Sequence, residues 1–285
     1  RHLIEVILQN SKFSIAAMTS RPDTLNRFYK NEPRVKCYGN SSLLDDRLPI
    51  HDCFGLVHLA FARRFSTDEQ IASSIEFSRH LFKAARDFAV PRVIYISSQG
   101  IYGNTEEIRT VNKTPPAPAM IYTMAKYATE QLLKAYFDNC TETKAVSIRL
   151  DSLAGNQRML PEFVRQSIEN RHISVVGGSQ IFSFLDVRDA AGGLVALLET
   201  DATRWKPIYN LGWNEKRYNI MQLAEITAQV AKEYGFGEVT ISLEKKDIKQ
   251  FAGMDSSLFL HDTGWYPKYD IYSIISKLFD EYLAR

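Results

Sequence analysis

The chain has 285 residues, 45% hydrophobic and 24% charged, the composition of a globular protein long enough to bury a substantial core. A formal net charge of +2 is too small to argue for nucleic acid or an anionic membrane as partner. No apolar run reaches the length of a membrane span, and the first residues do not read as a secretory signal. Cys37, Cys53 and Cys140 are odd in number and far apart, which favours reduced thiols in a cytoplasmic setting.

The opening stretch RHLIEVILQN places Leu3, Ile4, Val6, Ile7 and Leu8 on one face of a helix, with no capping side chain before Leu3. KFSIAAM (12–18) has strand length, VKCY (35–38) is a weak strand and FGLVHLA (54–60) a strong one. Residues 66–88 read as a long helix, with Ser66 and Glu69 as a capping box and Ile71, Ile75, Phe82 and Ala85 as its core stripe. RVIYISS (92–98) is a strand, the proline-rich TPPAPA (114–119) a loop, Ile121 to Phe137 a helix and AVSIRL (145–150) a strand.

Strands alternating with helices predict an α/β fold with a doubly wound parallel sheet, Rossmann-like in architecture. Beyond Leu150 the rhythm loosens. Helices are expected near PEFVRQSIEN, AAGGLVALLET, NIMQLAEITAQVAKEY and IYSIISKLFDEYLA, and strands at HISVV, PIYNLG and EVTISL. This part reads as a smaller C-terminal lobe interleaved with the sheet. VVGGSQ (175–180) is taken as a turn.

Tyr122 and Lys126 lie four apart on the Ile121–Phe137 helix and so share a face. A phenol with a pKa near 10 is a poor proton carrier at neutral pH. An ammonium about 4 Å away, at an effective dielectric of about 20, favours the phenolate by roughly 4 kcal/mol before desolvation, or about three pKa units. That is a route to general acid–base chemistry. Tyr-x-x-x-Lys alone is a two-letter pattern that arises about once by chance in a chain with 14 tyrosines; its setting sharpens it. Ser97 and Ser98 end the strand 92–98, and ligands of an open parallel sheet bind at the C-terminal ends of its strands. Other chemistries have no footing: the histidines and cysteines show no metal-ligand spacing, and Gly-x-Ser-x-Gly and Gly-Lys-Ser/Thr are absent.

FGLVHLAF, VIYISSQGIYG, YTMAKYATEQLL with Glu130, FSFLDVRDAA, YNLG and DTGWYPKYDI occur in that order. Together they resemble the extended short-chain dehydrogenase/reductases, the NAD-dependent epimerase/dehydratase family. The resemblance implies a dinucleotide-binding domain over 1–150 and a mostly substrate-binding lobe over 151–285. Ser98, Tyr122 and Lys126 become the catalytic set, with Tyr122 and Lys126 also touching the cofactor. It further implies that a strand and a glycine-rich turn, roughly ten to fifteen residues, precede the first helix and hold the pyrophosphate.

The cofactor-binding positions implied are Thr19, Ser20 and Arg21 after the second strand, Asn40 and Ser41 flanking the adenine, and Leu59, Ala60 and Phe61 along the ribose and pyrophosphate. In MTSRPD an arginine and no strand-end acid points to NADP, with Asp23 leaving room for NAD. Ser74 stands where the family has an asparagine.

For the substrate, Ser98 and Ser152 are implied contacts. Gln99 and Gly100 replace the Asp-Glu of the 4,6-dehydratases, which argues against dehydration. Phe182 replaces a diphosphate-clamping arginine, a strong charge-assisted contact, so Arg158, Arg165 or Arg188 is expected to supply it; otherwise the substrate is not a typical nucleotide sugar.

The leading expectation is an epimerase-type oxidoreductase acting on a nucleotide-activated or other sugar. Alternatives are an NADPH-dependent reductase of a small ketone or aldehyde, and a non-catalytic dinucleotide sensor. No nucleic-acid or membrane partner is expected. The helices 66–88 and 121–138 match those that build a dimeric bundle in relatives, so a cytoplasmic homodimer is expected.

Overall fold

A computed structural model describes residues 1–43, 48–156, 158–214 and 216–284. The first helix, α1 (His2–Asn10), begins at Arg1 without a side-chain cap and buries Ile4 and Ile7. Its last turn is closed from outside. The Arg34 guanidinium donates to the carbonyls of Leu8 and Ser11 at 2.6 and 2.8 Å, a cation set on the negative end of the helix dipole.

Strands β1 (Ile15–Thr19) and β2 (Val35–Gly39) flank the short helix α2 (Pro22–Phe28) and pair in parallel. Strands β3 (Leu56–His58), β4 (Arg92–Ser98), β5 (Lys144–Leu150) and β8 (Ile208–Leu211) form a second parallel sheet, in that order. Helices flank it, and the architecture is the Rossmann-like α/β fold expected.

Long helices α3 (Asp68–Asp87) and α4 (Ile121–Phe137) pack against each other, and α4 packs on β4. Phe82 and Ala85 of α3, Leu133 and Phe137 of α4, and Val93 and Tyr95 of β4 join in one buried cluster. Alternation along β4 supplies it, because Val93 and Tyr95 point to the same face of the strand. The capping box of α3 is Thr67 with Gln70, one residue beyond the expected Ser66 and Glu69. STDEQ offers both pairs, and the Ser66 hydroxyl is already an acceptor for the Arg63 N–H at 3.0 Å.

The chain divides into two compact units. One is Arg1–Ile101, Pro118–Ile148 and Leu194–Ile208; the other is Tyr102–Ala117, Arg149–Gly193 and Tyr209–Arg285. In the second, β6 (His172–Gly177) pairs in parallel with β10 (Thr240–Lys245). Helices α5 (Met159–Asn170), α7 (Ile220–Glu233) and α9 (Ile271–Leu283) pack around a core of Leu160, Phe163, Ile173, Leu223, Ile275 and Phe279. The segment VVGGSQ, expected as a turn, is half strand. Val175, Val176 and Gly177 belong to β6 and pair with β10, and the chain leaves the strand only at Gly178. Gly177 and Gly178 take φ of +114° and +135° there, a backbone that glycine tolerates and other residues rarely adopt. Helix α6 (Val187–Glu199) fits its expected place. The short α8 (Ser257–Thr263) and the two-residue pair β7 (Ile181–Phe182) and β9 (Tyr218–Asn219) leave no periodic signal.

Candidate active site

Ser98, Tyr122, Lys126 and Phe61 all belong to the first unit. Lys126, in the second turn of α4, is only 4% exposed. Its Nζ donates to the carbonyl of Ile96 at 2.6 Å. The same ammonium lies 4.2 Å from the centre of the Phe61 ring and 4.9 Å from that of Tyr95. Burial lowers its pKa to about 7, against an opposing pull from Glu130.

Tyr122 lies one turn earlier and is half-buried. Its ring meets that of Phe61 in a T-shaped contact, centroids 6.2 Å apart. The expectation that Lys126 brings the phenol down is not what the structure gives. Burial raises the Tyr122 pKa, and the cation that opposes this is Arg64. Desolvation of the phenolate outweighs the charge. Nothing in the spacing of Arg64 announces this role.

Ser98, at the end of β4, accepts the N–H of Gly100 at 3.1 Å. A Cβ added at Gly100 would lie 2.8 Å from Thr123 Cγ2 and 3.4 Å from Ser98 Oγ. The Ser98 hydroxyl therefore lies on the side of Gly100 that faces Thr123 in the first turn of α4. Ser97 is buried, and its hydroxyl has no hydrogen-bond partner among the described residues.

The segment after β3 is tied to α3. Ala62 N–H donates to Ser74 Oγ at 2.9 Å, and Ser74 Oγ donates to the Gln70 carbonyl at 2.8 Å. One turn on, Ser78 Oγ donates to the Ser74 carbonyl at 2.7 Å and lies 2.8 Å from His58 Nε2. With the Ser78 proton so used, the network assigns the imidazole proton to Nε2. His58 is buried among Phe77, Phe82 and Tyr95, and burial and Lys126 push its pKa down to about 3, so it stays neutral. Ser74, in the asparagine's place, anchors the loop that carries Leu59, Ala60 and Phe61. Leu59 and Ala60 are exposed.

The remaining cofactor candidates occupy the ends of β1 and β2. Thr19 Oγ1 accepts the Arg21 N–H at 3.2 Å, and Ser20, Arg21, Asn40 and Ser41 are exposed. Arg21 precedes α2, with Asp23 in that helix's first turn.

Ser152 and Arg188 belong to the second unit. Ser152 N–H donates to the buried Asp151 carboxylate at 2.7 Å. Arg188 is engaged rather than open: Nε and Nη2 bond both Asp186 oxygens at 2.8 and 2.9 Å, and the guanidinium lies 3.5 Å over Tyr269. Arg165 pairs with Glu162 and Glu169, and Arg158 is exposed just before α5. Phe182 stacks on Phe184, centroids 6.1 Å apart at 8°.

A half-buried tyrosine and a buried lysine one helical turn apart, on the helix that packs on the strand ending in Ser97 and Ser98, are the arrangement expected of a nicotinamide-dependent proton-transfer site. The sequence matches the NAD dependent epimerase/dehydratase family over residues 1–212. The chain belongs to that family of enzymes.

Among curated relatives, dTDP-D-glucose 4,6-dehydratase of Bos taurus is 26% identical over 223 residues, covering 74% of this chain and 60% of that protein. The Low-salt glycan biosynthesis protein Agl12 of Haloferax volcanii is 22% identical over 291 aligned positions, 96% of this chain and 87% of that one. The chain thus spans about 60% of the length of the bovine relative. The family member shares its fold with UDP-glucuronic acid 4-epimerase from Bacillus cereus, solved in complex with NAD, at TM-score 0.79 and 18% identity, covering 100% and 95% of the two chains. It shares it also with dTDP-glucose 4,6-dehydratase from Bacillus anthracis, solved in complex with NAD, at TM-score 0.79 and 16% identity over 99% and 92%. Among the described residues, no helix is long and apolar enough to cross a membrane, and no group of His, Cys, Asp and Glu could hold a metal ion.

Proposed function

We propose that this family member is an epimerase-type oxidoreductase acting on a nucleotide-activated or other sugar with a nicotinamide dinucleotide. The observation that carries the reading is the buried Lys126 ammonium. It has three N–H donors and, among the described residues, one acceptor, the Ile96 carbonyl. Such a donor set fits the vicinal hydroxyls of a nicotinamide ribose.

The remaining residues support the same chemistry. Lys126 holds the ribose, and Ser98 orients the reacting hydroxyl. Tyr122 removes its proton through the phenolic oxygen, and Arg64 favours the phenolate. The dinucleotide, when bound, supplies the hydride acceptor. Phe61 and Tyr95 keep water from the ammonium, which strengthens each charge interaction there. Dehydration is disfavoured, because Gln99 and Gly100 supply no acid where the 4,6-dehydratases carry Asp-Glu.

A second reading, an NADPH-dependent reductase of a small ketone or aldehyde, rests on the second unit. There Arg165 and Arg188 are both engaged by carboxylates and Phe182–Phe184 offers apolar rings. Arg21 makes NADP the proposed cofactor in both readings.

The deciding experiment incubates the protein with nucleotide sugars and follows sugar configuration and NAD(P)H together. Epimerisation without net cofactor consumption supports the first reading, and stoichiometric NADPH oxidation with a carbonyl substrate supports the second. Tyr122→Phe is expected to abolish turnover and leave dinucleotide affinity within about twofold, since it deletes only the proton-carrying oxygen. Retained turnover in this variant overturns both.

A further inference from the structure

We propose that Phe61 is a positioning residue whose ring holds the Lys126 ammonium in place by a cation–π contact while packing against Tyr122. The inference rests on the reading of Lys126 as the functional ammonium. One ring touches both members of the pair: 4.2 Å from its centre to Lys126 Nζ and 6.2 Å to the Tyr122 ring. A cation within about 6 Å of a phenyl centroid is attracted by the ring's quadrupole, most strongly where water is excluded. Here the lysine is 4% exposed.

The ring's own position is built, not incidental. Phe61 follows a three-residue strand, and the next residue is fixed by the Ala62 N–H to Ser74 Oγ bond. The Ser74 carbonyl in turn accepts from Ser78 Oγ one turn on, and Ser78 meets His58. The chain of bonds therefore runs from β3 through α3 back to the loop and sets the ring over the ammonium from the loop side. Tyr95 of β4 flanks the ammonium with a second ring.

No carboxylate is within ion-pair distance of Lys126 among the described residues. The titratable groups acting on or touching it are Glu130 on α4, His58 on β3 and Tyr95 on β4. Glu130 favours the charged amine against the larger cost of burial, and His58, being neutral, adds no opposing charge. The ring of Phe61 then accounts for part of what keeps a buried ammonium charged near neutrality.

The test uses cofactor-free protein. In protein isotope-labelled at lysine Cε, the Lys126 resonance, assigned by its loss in Lys126→Met, is followed against pH by NMR, giving the apparent pKa of the amine. Phe61→Leu keeps the apolar volume and removes the quadrupole, so the midpoint should fall by about half to one and a half pH units. Phe61→Met, a more adaptable replacement, should fall likewise and serves should the leucine variant not fold. Phe61→Trp should return the midpoint to the wild-type value or above.

A midpoint unchanged in the Leu and Met variants overturns the proposal. A rise toward the ordinary lysine value also overturns it, because the ring would then act only by excluding water. A fall in Phe61→Trp does the same. Dinucleotide titration of the same variants is a separate measurement: a protein that binds no dinucleotide defeats the functional reading and leaves the amine result standing.

Discussion

The Lys126 ammonium and the Ile96 carbonyl lie 2.6 Å apart, a bond that joins the second turn of α4 to the C-terminal end of β4. It fixes this buried cation against the sheet edge and ties down the helix that carries Tyr122. A neutral carbonyl and two rings do not repay full desolvation, so the amine's pKa falls from 10.5 to about 7. The unfolded chain binds the extra proton between those values. Stability should therefore rise with pH across about 7 to 10.5, where the unfolded state loses the proton the folded state has already released. Lys126→Met removes this dependence and should raise stability at pH 7, by an amount on the order of 4 kcal/mol at most, with Tm rising accordingly, while abolishing dinucleotide binding. Thermal melts from pH 6 to 11, wild type against variant, check the slope.

Arg64 is the cation that opposes the upward shift of Tyr122. Taking it away leaves burial unopposed, and the phenol becomes harder to ionise. Activity that needs the phenolate rises with pH through the tyrosine pKa. Arg64→Gln should therefore move the acidic limb of the kcat/KM profile to higher pH and reduce activity at pH 7 by about threefold to tenfold. Dinucleotide Kd, by contrast, should change little. An unmoved limb would mean that Arg64 does not reach the phenol during turnover.

Much of this was legible in the sequence, and where it was not the reason is physical. RVIYISS declares itself as a continuous apolar run because β4 is buried on both faces, and IYTMAKYATEQLLKAYF because α4 buries one stripe at a period of 3.6. Tyr122, Lys126 and Ser98 follow from that placement. The α3 cap slipped by one residue because STDEQ satisfies the capping pattern twice. Helix α2 was missed because seven residues carry too little periodicity, and β7 and β9 because two-residue strands carry none. What stayed hidden at the site were contacts made across elements. Phe61 and Tyr95 on Lys126, Arg64 acting on Tyr122, and Ser74 on Ala62 all depend on where loops return in space. The pKa of Tyr122 moved up rather than down for the same reason: a helical spacing of four places two groups on one face but says nothing of how dry that face is.

Arg21 is exposed just before α2, with Thr19 Oγ1 accepting its N–H. A guanidinium there can pair with a 2′-phosphate, a charge-assisted contact absent for NADH. Arg21→Ala should weaken NADPH binding about tenfold and leave NADH nearly unchanged, as read by fluorescence titration of the reduced dinucleotides. Equal losses for both, or a wild-type preference for NADH, would remove Arg21 from cofactor choice.

Arg188 offers the sharpest contrast between a binding and a structural role in the second unit. Its guanidinium bonds both oxygens of Asp186, whose side chain is 4% exposed, and covers Tyr269. Burial pushes the Asp186 pKa up, but the side-chain and backbone bonds from Arg188 bring it below the ordinary value. In the wild type that pair stabilises the fold above about pH 4 and is lost as pH falls through the folded pKa. Arg188→Met leaves a buried carboxylate held mainly by its backbone N–H bond. Its pKa should then rise above the ordinary value, and the carboxylate form should cost about 1 to 3 kcal/mol at pH 7. The Tm difference between wild type and variant should be large at pH 7 and shrink below pH 4, where Asp186 is protonated in both. Substrate KM, measured at a temperature where both are folded, should be unchanged. Should Tm instead hold and KM climb, the guanidinium leaves Asp186 to meet the substrate, and the second unit supplies the diphosphate clamp that Phe182 cannot.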